Sequence, residues 1–172
     1  MLVPMVALMV QLVANYAYAP SPPGAVELLQ LQLDPDAGVP TSKVKLTLPD
    51  GVSLDAPSVR TADGQVFWRL RADQPGDHVL QIKVGDETYE KGWAVGGGPR
   101  KVPVNRLRTW EALLCPGEAA IAADSPVISL ELEPHTRPLA WFPEGEFGIL
   151  MWSMVLSLVA GFALKGFFGV TI

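Results

Sequence analysis

The chain has 172 residues, enough for one soluble domain of ordinary size with membrane segments but too few for two full domains beside them. Its 13 basic and 18 acidic residues give a net charge of −5, which excludes a general attraction for nucleic acid. The only cysteine is Cys115, so an intrachain disulfide is excluded.

The charges are distributed very unevenly. Residues 1–19 carry none, and the only charge after Glu146 is that of Lys165. The segment 20–146 therefore holds 18 acidic and 12 basic residues, a net charge of −6. A charged central segment between two apolar ends predicts a polar domain attached to membrane segments.

The chain begins with an uncharged, mostly apolar run, MLVPMVALMVQLVANYAYA. It is interpreted either as a transmembrane helix over 1–19 or as a signal peptide cut after Ala19. No basic segment precedes the run, and Pro20 would follow the cut, so the transmembrane helix is favoured. Because the apolar run begins at residue 1, we expect the chain to be the C-terminal part of a longer protein.

Gln11 and Asn15 lie four residues apart, on one face of the predicted first helix together with Tyr18. One hypothesis is that this intramembrane polar face meets protein or the interface rather than lipid tails. Two unrelated polar residues explain the pattern equally well.

Residues 20–98 show the alternation of apolar and polar residues that is typical of half-buried strands. In LLQLQL, Leu29, Leu31 and Leu33 share one face and the glutamines the other. The segments KVKLTL, QVFWRLRA, HVLQIKV and TYEKGWAV repeat the pattern, and turn signals such as PDG separate them. Together with GVSLDAPSVR they predict a mainly β fold, an immunoglobulin-like β-sandwich of about six or seven strands.

The inward-facing residues of these strands define the predicted core. Its central members are Trp68, Leu70, Leu80, Ile82 and Val84. The last of the five strands places Tyr89, Lys91, Trp93 and Val95 on one side. No Cys-Trp-Cys framework is present, so the likeness to immunoglobulin domains is one of architecture.

Residues 99–146 are predicted to be a linker with a short amphipathic helix and one further strand. The helix begins near Asn105 and is stopped by Pro116. Its apolar face, which includes Trp110, lies on the bilayer surface in one interpretation and packs on the sandwich in the other. VISLELE predicts the strand, with Ile128, Leu130 and Leu132 on one face.

Residues 147–165 are predicted to form a transmembrane helix, followed by a short tail over 166–172. Phe147 to Leu164 is a run of 18 uncharged residues, and a helix of that length spans about 27 Å, close to the thickness of a bilayer core. Trp141 and Phe142 suit one membrane interface and Lys165 suits the other. Both flanks therefore favour a spanning helix with the lipid bilayer as its partner.

If both apolar runs span, the chain ends share one side and residues 20–146 lie on the other. Long domains between spanning helices translocate largely regardless of charge, and Lys165 suits a cytoplasmic tail. We therefore expect the bacterial inner (cytoplasmic) membrane as location, with the β domain on the extracytoplasmic side.

Residues that could carry chemistry are sparse. His78 and His135 lack metal-ligand spacing and are interpreted as solvated, and Cys115 as a buried thiol. Glu144 and Glu146 are read as a solvated turn rather than a carboxylate pair. The sequence therefore predicts no catalytic residue, no metal site and no cofactor, and hence a protein that is not an enzyme.

Four stretches carry a resemblance to a known family: MLVPMVALMVQLVANYAYAPSPPG, FWRLRADQPGDHVLQIKVGDETYEK, SPVISLELE and LSLVAGFALKGFFGVTI. The chain resembles the C-terminal part of a family of bacterial multi-pass membrane proteins that is distantly similar to the YidC-type insertases. The resemblance implies a polar groove that shelters a client membrane segment, to which Gln11 and Asn15 are the candidate contributors. The helical hairpin and the groove arginine of that superfamily are missing from this sequence.

Two functions follow from the sequence. The first is a non-enzymatic membrane protein whose exported sandwich binds a protein partner or braces a membrane assembly. The second is a fragment of an insertase-like protein that assists the insertion of client membrane segments.

Overall fold

The computed structural model describes residues 11–13, 16–97, 102, 105–108, 118–133, 135–136, 141 and 143–168, with side chains described up to residue 163. The chain divides into two compact units. One is Ala19–His135, which we call the two-sheet unit, and the other combines the described parts of Met1–Tyr18 and Thr136–Ile172.

The two-sheet unit is built from antiparallel strands. They are β1 (Val26–Leu33), β2 (Val44–Thr47), β3 (Val52–Arg60), β4 (Gln65–Ala72), β5 (Gly76–Val84), β6 (Glu87–Val95), β7 (Asn105–Leu107) and β8 (Val127–Leu132). One sheet has five strands in the order β3-β4-β1-β8-β7, and the other has three in the order β2-β5-β6. The expectation of a mainly β fold is confirmed.

The buried faces of both sheets contribute to one hydrophobic core. Alternation predicted these faces correctly because every second side chain of a strand points to the same side. The predicted central core residues are all buried, with at most 3% of their surface exposed: Trp68, Leu70, Leu80, Ile82 and Val84. The three leucines of LLQLQL are also buried.

The two-sheet unit is longer than the predicted 20–98, because it also contains β7 and β8. The prediction of a helix beginning near Asn105 is wrong for Asn105–Leu107, which pairs with β8 as a strand. Tertiary pairing overrides helix propensity in so short a segment. The rest of the predicted helix, with Trp110, lies outside the described residues.

Strand β8 departs from simple alternation. The register of β1 against β8 shifts next to Leu33, so that this residue pairs with Val127. A β-bulge changes which side chains point inward. Val127, Leu130 and Leu132 are therefore buried, whereas Ile128 is only half-buried, contrary to its predicted place on the inward face.

The second unit contains the long helix α1 (Gly145–Phe168). Residues 145–163 of α1 have a mean hydropathy of 1.7, and only 6% of them are buried. Among the described residues, α1 is the one helix that is long and apolar enough to span a membrane. Of the predicted first helix, the structure describes helical residues at Gln11–Val13 and at Tyr16; the remainder lies outside the described residues.

Candidate functional site

Helix α1 exposes large apolar side chains around its circumference. More than half of the surface is exposed at Phe147, Met154, Leu156, Leu158, Val159 and Phe162. A helix that is apolar on all sides is normally buried in a protein core or in a membrane. Only 6% of residues 145–163 are buried, so the described residues leave most of this apolar surface uncovered.

Two of the four predicted interface residues, Trp141 and Lys165, lie near opposite ends of α1. Trp141, just before the helix, is 91% exposed. Lys165 belongs to the last turns of α1, but its side chain lies outside the described residues, as do Phe142 and Trp110. Among the described residues, Trp141 is therefore the one predicted interface residue whose side-chain exposure is known.

The start of α1 is tied to the segments before it by hydroxyl–carboxylate hydrogen bonds. The hydroxyl of Tyr18 donates to Glu146 Oε1 at 2.5 Å, and Thr136 Oγ1 donates to Glu144 Oε2 at 3.0 Å. Tyr18 and Thr136 also pair in an antiparallel bridge. The two carboxylates thus accept hydrogen bonds from different hydroxyl groups.

The structure does not describe the proposed polar face as a whole. Gln11 is an exposed residue of a helical turn, whereas Asn15 lies outside the described residues. The pairing of these two side chains stays a prediction.

A buried carboxyl group lies at the end of the two-sheet unit where the chain enters β1. Glu27 is 7% exposed and accepts a hydrogen bond from Ser21 Oγ, which in turn accepts one from Trp93 Nε1 at 2.9 Å. Burial raises the pKa of Glu27 to about 6, and the nearby charge of Glu133 adds to this. Ser21 is only 3% exposed, so a substrate could not reach its hydroxyl or the Glu27 carboxyl without opening the fold.

A second buried polar group joins β6 to a distant part of the chain. Lys91 has no exposed surface, and its Nζ lies 2.6 Å from Glu118 Oε2. The other carboxylate oxygen accepts a hydrogen bond from the backbone N–H of Gly92 at 2.7 Å. Burial lowers the pKa of Lys91, and the Glu118 carboxylate opposes that shift.

A third set of polar contacts joins β6 and Arg108 to residues next to β1 and β8. The hydroxyl of Tyr89 donates to Glu87 and lies 2.6 Å from Ser125 Oγ. Burial and the bond to Glu87 raise the pKa of Tyr89 to about 12. Arg108 Nη1 donates to Asp34 Oδ2 at 2.7 Å and to the carbonyl of Ser125 at 2.9 Å.

The pKa of Asp34 is lowered chiefly by that hydrogen bond from Arg108. The arginine thus bridges the end of β1 and the turn before β8. These contacts hold elements of the two-sheet unit together.

The histidines do not form a metal site with other described residues. His78 is buried, contrary to the expectation that it is solvated, and its Nε2 lies 2.9 Å from the carbonyl oxygen of Gln74. The turn before β5 folds back over the imidazole, which the sequence pattern did not show. Among the described residues, no three histidine, cysteine or carboxylate side chains are grouped to hold a metal ion. Cys115 lies outside them.

An open groove of about 630 Å³ lies between the segment after β1 and the turn between β3 and β4. Its lining residues are Leu33, Asp34, Pro35, Gly38, Val39, Pro40, Thr41, Thr61, Ala62, Asp63 and Gly64. This lining offers hydroxyls and carboxylates but no histidine, cysteine or lysine.

The chain was also compared with known proteins. It matches no family model, no curated protein and no solved structure.

Proposed function

We propose that this chain is a non-enzymatic integral membrane protein. Helix α1 crosses the bilayer, and the two-sheet unit is an immunoglobulin-like β-sandwich that binds a protein partner or braces a membrane assembly. The membrane is the bacterial inner membrane, with the sandwich on its extracytoplasmic side. The observation that carries the proposal is the exposed apolar surface of α1, where only 6% of the residues over 145–163 are buried.

The energetics of α1 favour insertion. Leucine, isoleucine, phenylalanine and valine each favour a central membrane position by about 0.3 to 0.6 kcal/mol. Nine such residues lie between Phe147 and Leu164, so their sum is about 3 to 5 kcal/mol. The hydroxyl of Ser153 donates to the carbonyl of Leu150 at 2.8 Å, which reduces the cost of placing it in lipid.

A binding role is favoured over catalysis because the polar side chains inside the two-sheet unit form hydrogen bonds and ion pairs within the fold. The buried polar groups of Ser21, Glu27 and Lys91 and the half-buried carboxylate of Glu118 bond to one another or to the backbone. Groups satisfied in this way stabilise a scaffold, whereas a catalytic group faces a cavity that admits substrate.

Membrane fractionation of the full chain tests the first part of the proposal. In a bacterial host the chain should stay in the membrane fraction at alkaline pH and enter solution only with detergent. Leu156→Lys with Val159→Lys should shift it to the soluble or aggregated fraction, because each central lysine opposes insertion by about 2.5 to 3.5 kcal/mol. Their combined cost exceeds the gain of the apolar residues.

The matched control places two lysines on exposed strand positions, Val59→Lys with Val79→Lys, and should leave the chain in the membrane. Equal partitioning of both double variants, or a native chain that is monomeric in buffer without detergent, would contradict the proposal. Reporters fused after Val95 and after Ile172 test sidedness. The reporter after Val95 should show that this position lies outside the cytoplasm, and the reporter after Ile172 should show that the chain end lies inside.

A further inference from the structure

The two sheets of the two-sheet unit differ in width, and the narrower one ends at β2. Strand β2 lies on the same side of the unit as β3, the outermost strand of the five-stranded sheet. Arg60 of β3 shows this, because its Nε donates to the carbonyl of Thr41, three residues before β2, at 3.1 Å. One outer strand of each sheet, β3 and β2, therefore lies on this side of the unit.

A core-facing leucine on that side is left uncovered. Leu54 of β3 pairs directly with Leu70 of β4, and paired residues point to the same face of a sheet. Leu70 is completely buried, yet Leu54 is 50% exposed. Since the second sheet ends at β2, no described strand covers Leu54, and one further strand beside β2 would lie over it.

Three lysines lie on or next to β2. Lys45 lies directly opposite Lys83 of β5, and Lys43 immediately precedes β2; all three are exposed. Like charges directly opposite each other destabilise a sheet. Among the described residues, no carboxylate lies within 4.0 Å of these ammonium groups.

The backbone of β2 is available on its outer side. Within the described chain, Val44–Thr47 pairs with β5 only. The unpaired N–H and C=O groups of an edge strand are a template for one more strand.

We propose that the free edge of β2 binds an extended segment of a partner protein, in which acidic residues alternate with apolar ones, as a fourth strand of the three-stranded sheet. The acidic side chains lie on the outer face beside Lys45 and Lys43. The apolar ones point inward and cover Leu54. This inference rests on the proposed partner-binding function and names the surface and the chemistry of that partner.

The same charges select against other occupants. A second copy paired through its own β2 would bring two further lysines to Lys45, which costs free energy. An extended anionic membrane surface is disfavoured because residues 19–135 carry 16 acidic and 11 basic residues, a net charge of −5. A short acidic strand contacts only the lysines near β2, so it avoids most of the repulsion that this net negative charge would cause at a larger anionic surface.

Fluorescence anisotropy with the full chain in a non-ionic detergent tests the proposal. The probe is a labelled peptide, TVEVEVET, and the comparison peptide is TVKVKVKT. We expect the glutamate peptide to bind with a Kd of about 10 to 100 μM and the lysine peptide at least about tenfold more weakly. Binding of the glutamate peptide should protect the amides of Val44–Thr47 from hydrogen exchange.

Lys45→Gln should weaken binding of the glutamate peptide about fivefold. The matched control is Arg69→Gln, which removes one positive charge from the outer face of the other sheet and should leave the Kd unchanged. The proposal is overturned if neither peptide binds, if both bind equally, if the two variants behave alike, or if protection appears away from β2. Displacement of the peptide by phosphatidylglycerol micelles would assign the lysines to lipid and would also overturn it.

The fractionation experiment separates this inference from the proposed function. A chain that partitions into membranes but does not distinguish the two peptides contradicts the β2 inference alone.

Discussion

The ammonium nitrogen of Lys91 lies 2.6 Å from a carboxylate oxygen of Glu118, and the lysine has no exposed surface. Removing the carboxylate leaves a buried charge without its partner, which costs about 3 to 5 kcal/mol. Glu118→Ala should therefore lower the free energy of unfolding by that amount. Denaturant titration of the full chain in detergent, followed by tryptophan fluorescence, measures the change.

The double variant Lys91→Met with Glu118→Ala should recover more than half of the loss, because it removes the unpaired charge as well. Glu90→Gln, an exposed change on the same strand, is the control and should change the free energy by less than about 0.5 kcal/mol. A double variant as unstable as Glu118→Ala would show that the contact between Glu118 and the backbone of Gly92, rather than the ion pair, carries the effect.

The buried carboxyl of Glu27 predicts a pH dependence of stability. Its pKa in the folded chain is about 6, above the ordinary value of 4.5, so the folded state holds the proton more tightly than the unfolded state. The stabilisation is fully present below pH 4.5 and is lost as the pH rises through about 6. The expected difference is about 2 kcal/mol between the two limits.

Glu27→Gln should remove this dependence, because the amide is neutral at every pH and its oxygen still accepts the hydrogen bond from Ser21. Free energies of unfolding measured from pH 4 to pH 8 should then differ in slope between the two proteins, with Glu90→Gln retaining the native slope. An unchanged slope in Glu27→Gln would mean that another group titrates in this window.

Alternation predicted the strands well because it depends only on local geometry. Leu29, Trp68 and Ile82 are buried as expected, since the side-chain period of a strand is two wherever one face meets the core. Strand β7 escaped prediction because three residues are too few to show a period. The bulge at Leu33 escaped because it depends on how two strands pair.

The polar groups were harder to predict than the core. Lys91 was assigned to the correct face of β6, but its partner lies 27 residues away, beyond any local pattern. The burial of Glu27 was missed, although it shares the inward face with Leu29 in the sequence, because a carboxylate signals exposure in most contexts. Continuing the alternation backwards from LLQLQL would have placed it inside.

Two tryptophans provide a matched test of where the fold is stabilised. Trp68 is 3% exposed in the core and Trp141 is 91% exposed. Trp68→Ala should lower the free energy of unfolding by about 3 to 5 kcal/mol, because it leaves a large cavity. Trp141→Ala should change it by less than about 0.5 kcal/mol, although it should weaken membrane partitioning if this ring lies at the interface. Similar unfolding free energies for the two variants would contradict the assignment of Trp68 to the core.

Two glycines at strand ends separate backbone strain from steric contact. Gly85 and Gly96 have φ angles of +61° and +67°, which residues other than glycine rarely adopt. A Cβ at Gly85 meets open space, whereas one at Gly96 would lie 3.1 Å from Cβ of Pro75. Gly85→Ala should thus cost about 1 kcal/mol from the backbone alone, and Gly96→Ala about 2 to 3 kcal/mol because the contact adds to it.

The larger effect at Gly96 follows from its surroundings. Its N–H donates to the carbonyl of Ser21 at 2.8 Å, so movement away from Pro75 would also disturb the segment that carries the hydroxyl bonded to Glu27. Gly96→Ala should therefore alter the pH dependence of stability, whereas Gly85→Ala should lower stability equally at every pH. Unfolding measured at pH 4.5 and pH 7 distinguishes the two, and a loss for Gly96→Ala that is the same at both pH values would contradict the coupling between Gly96 and Glu27.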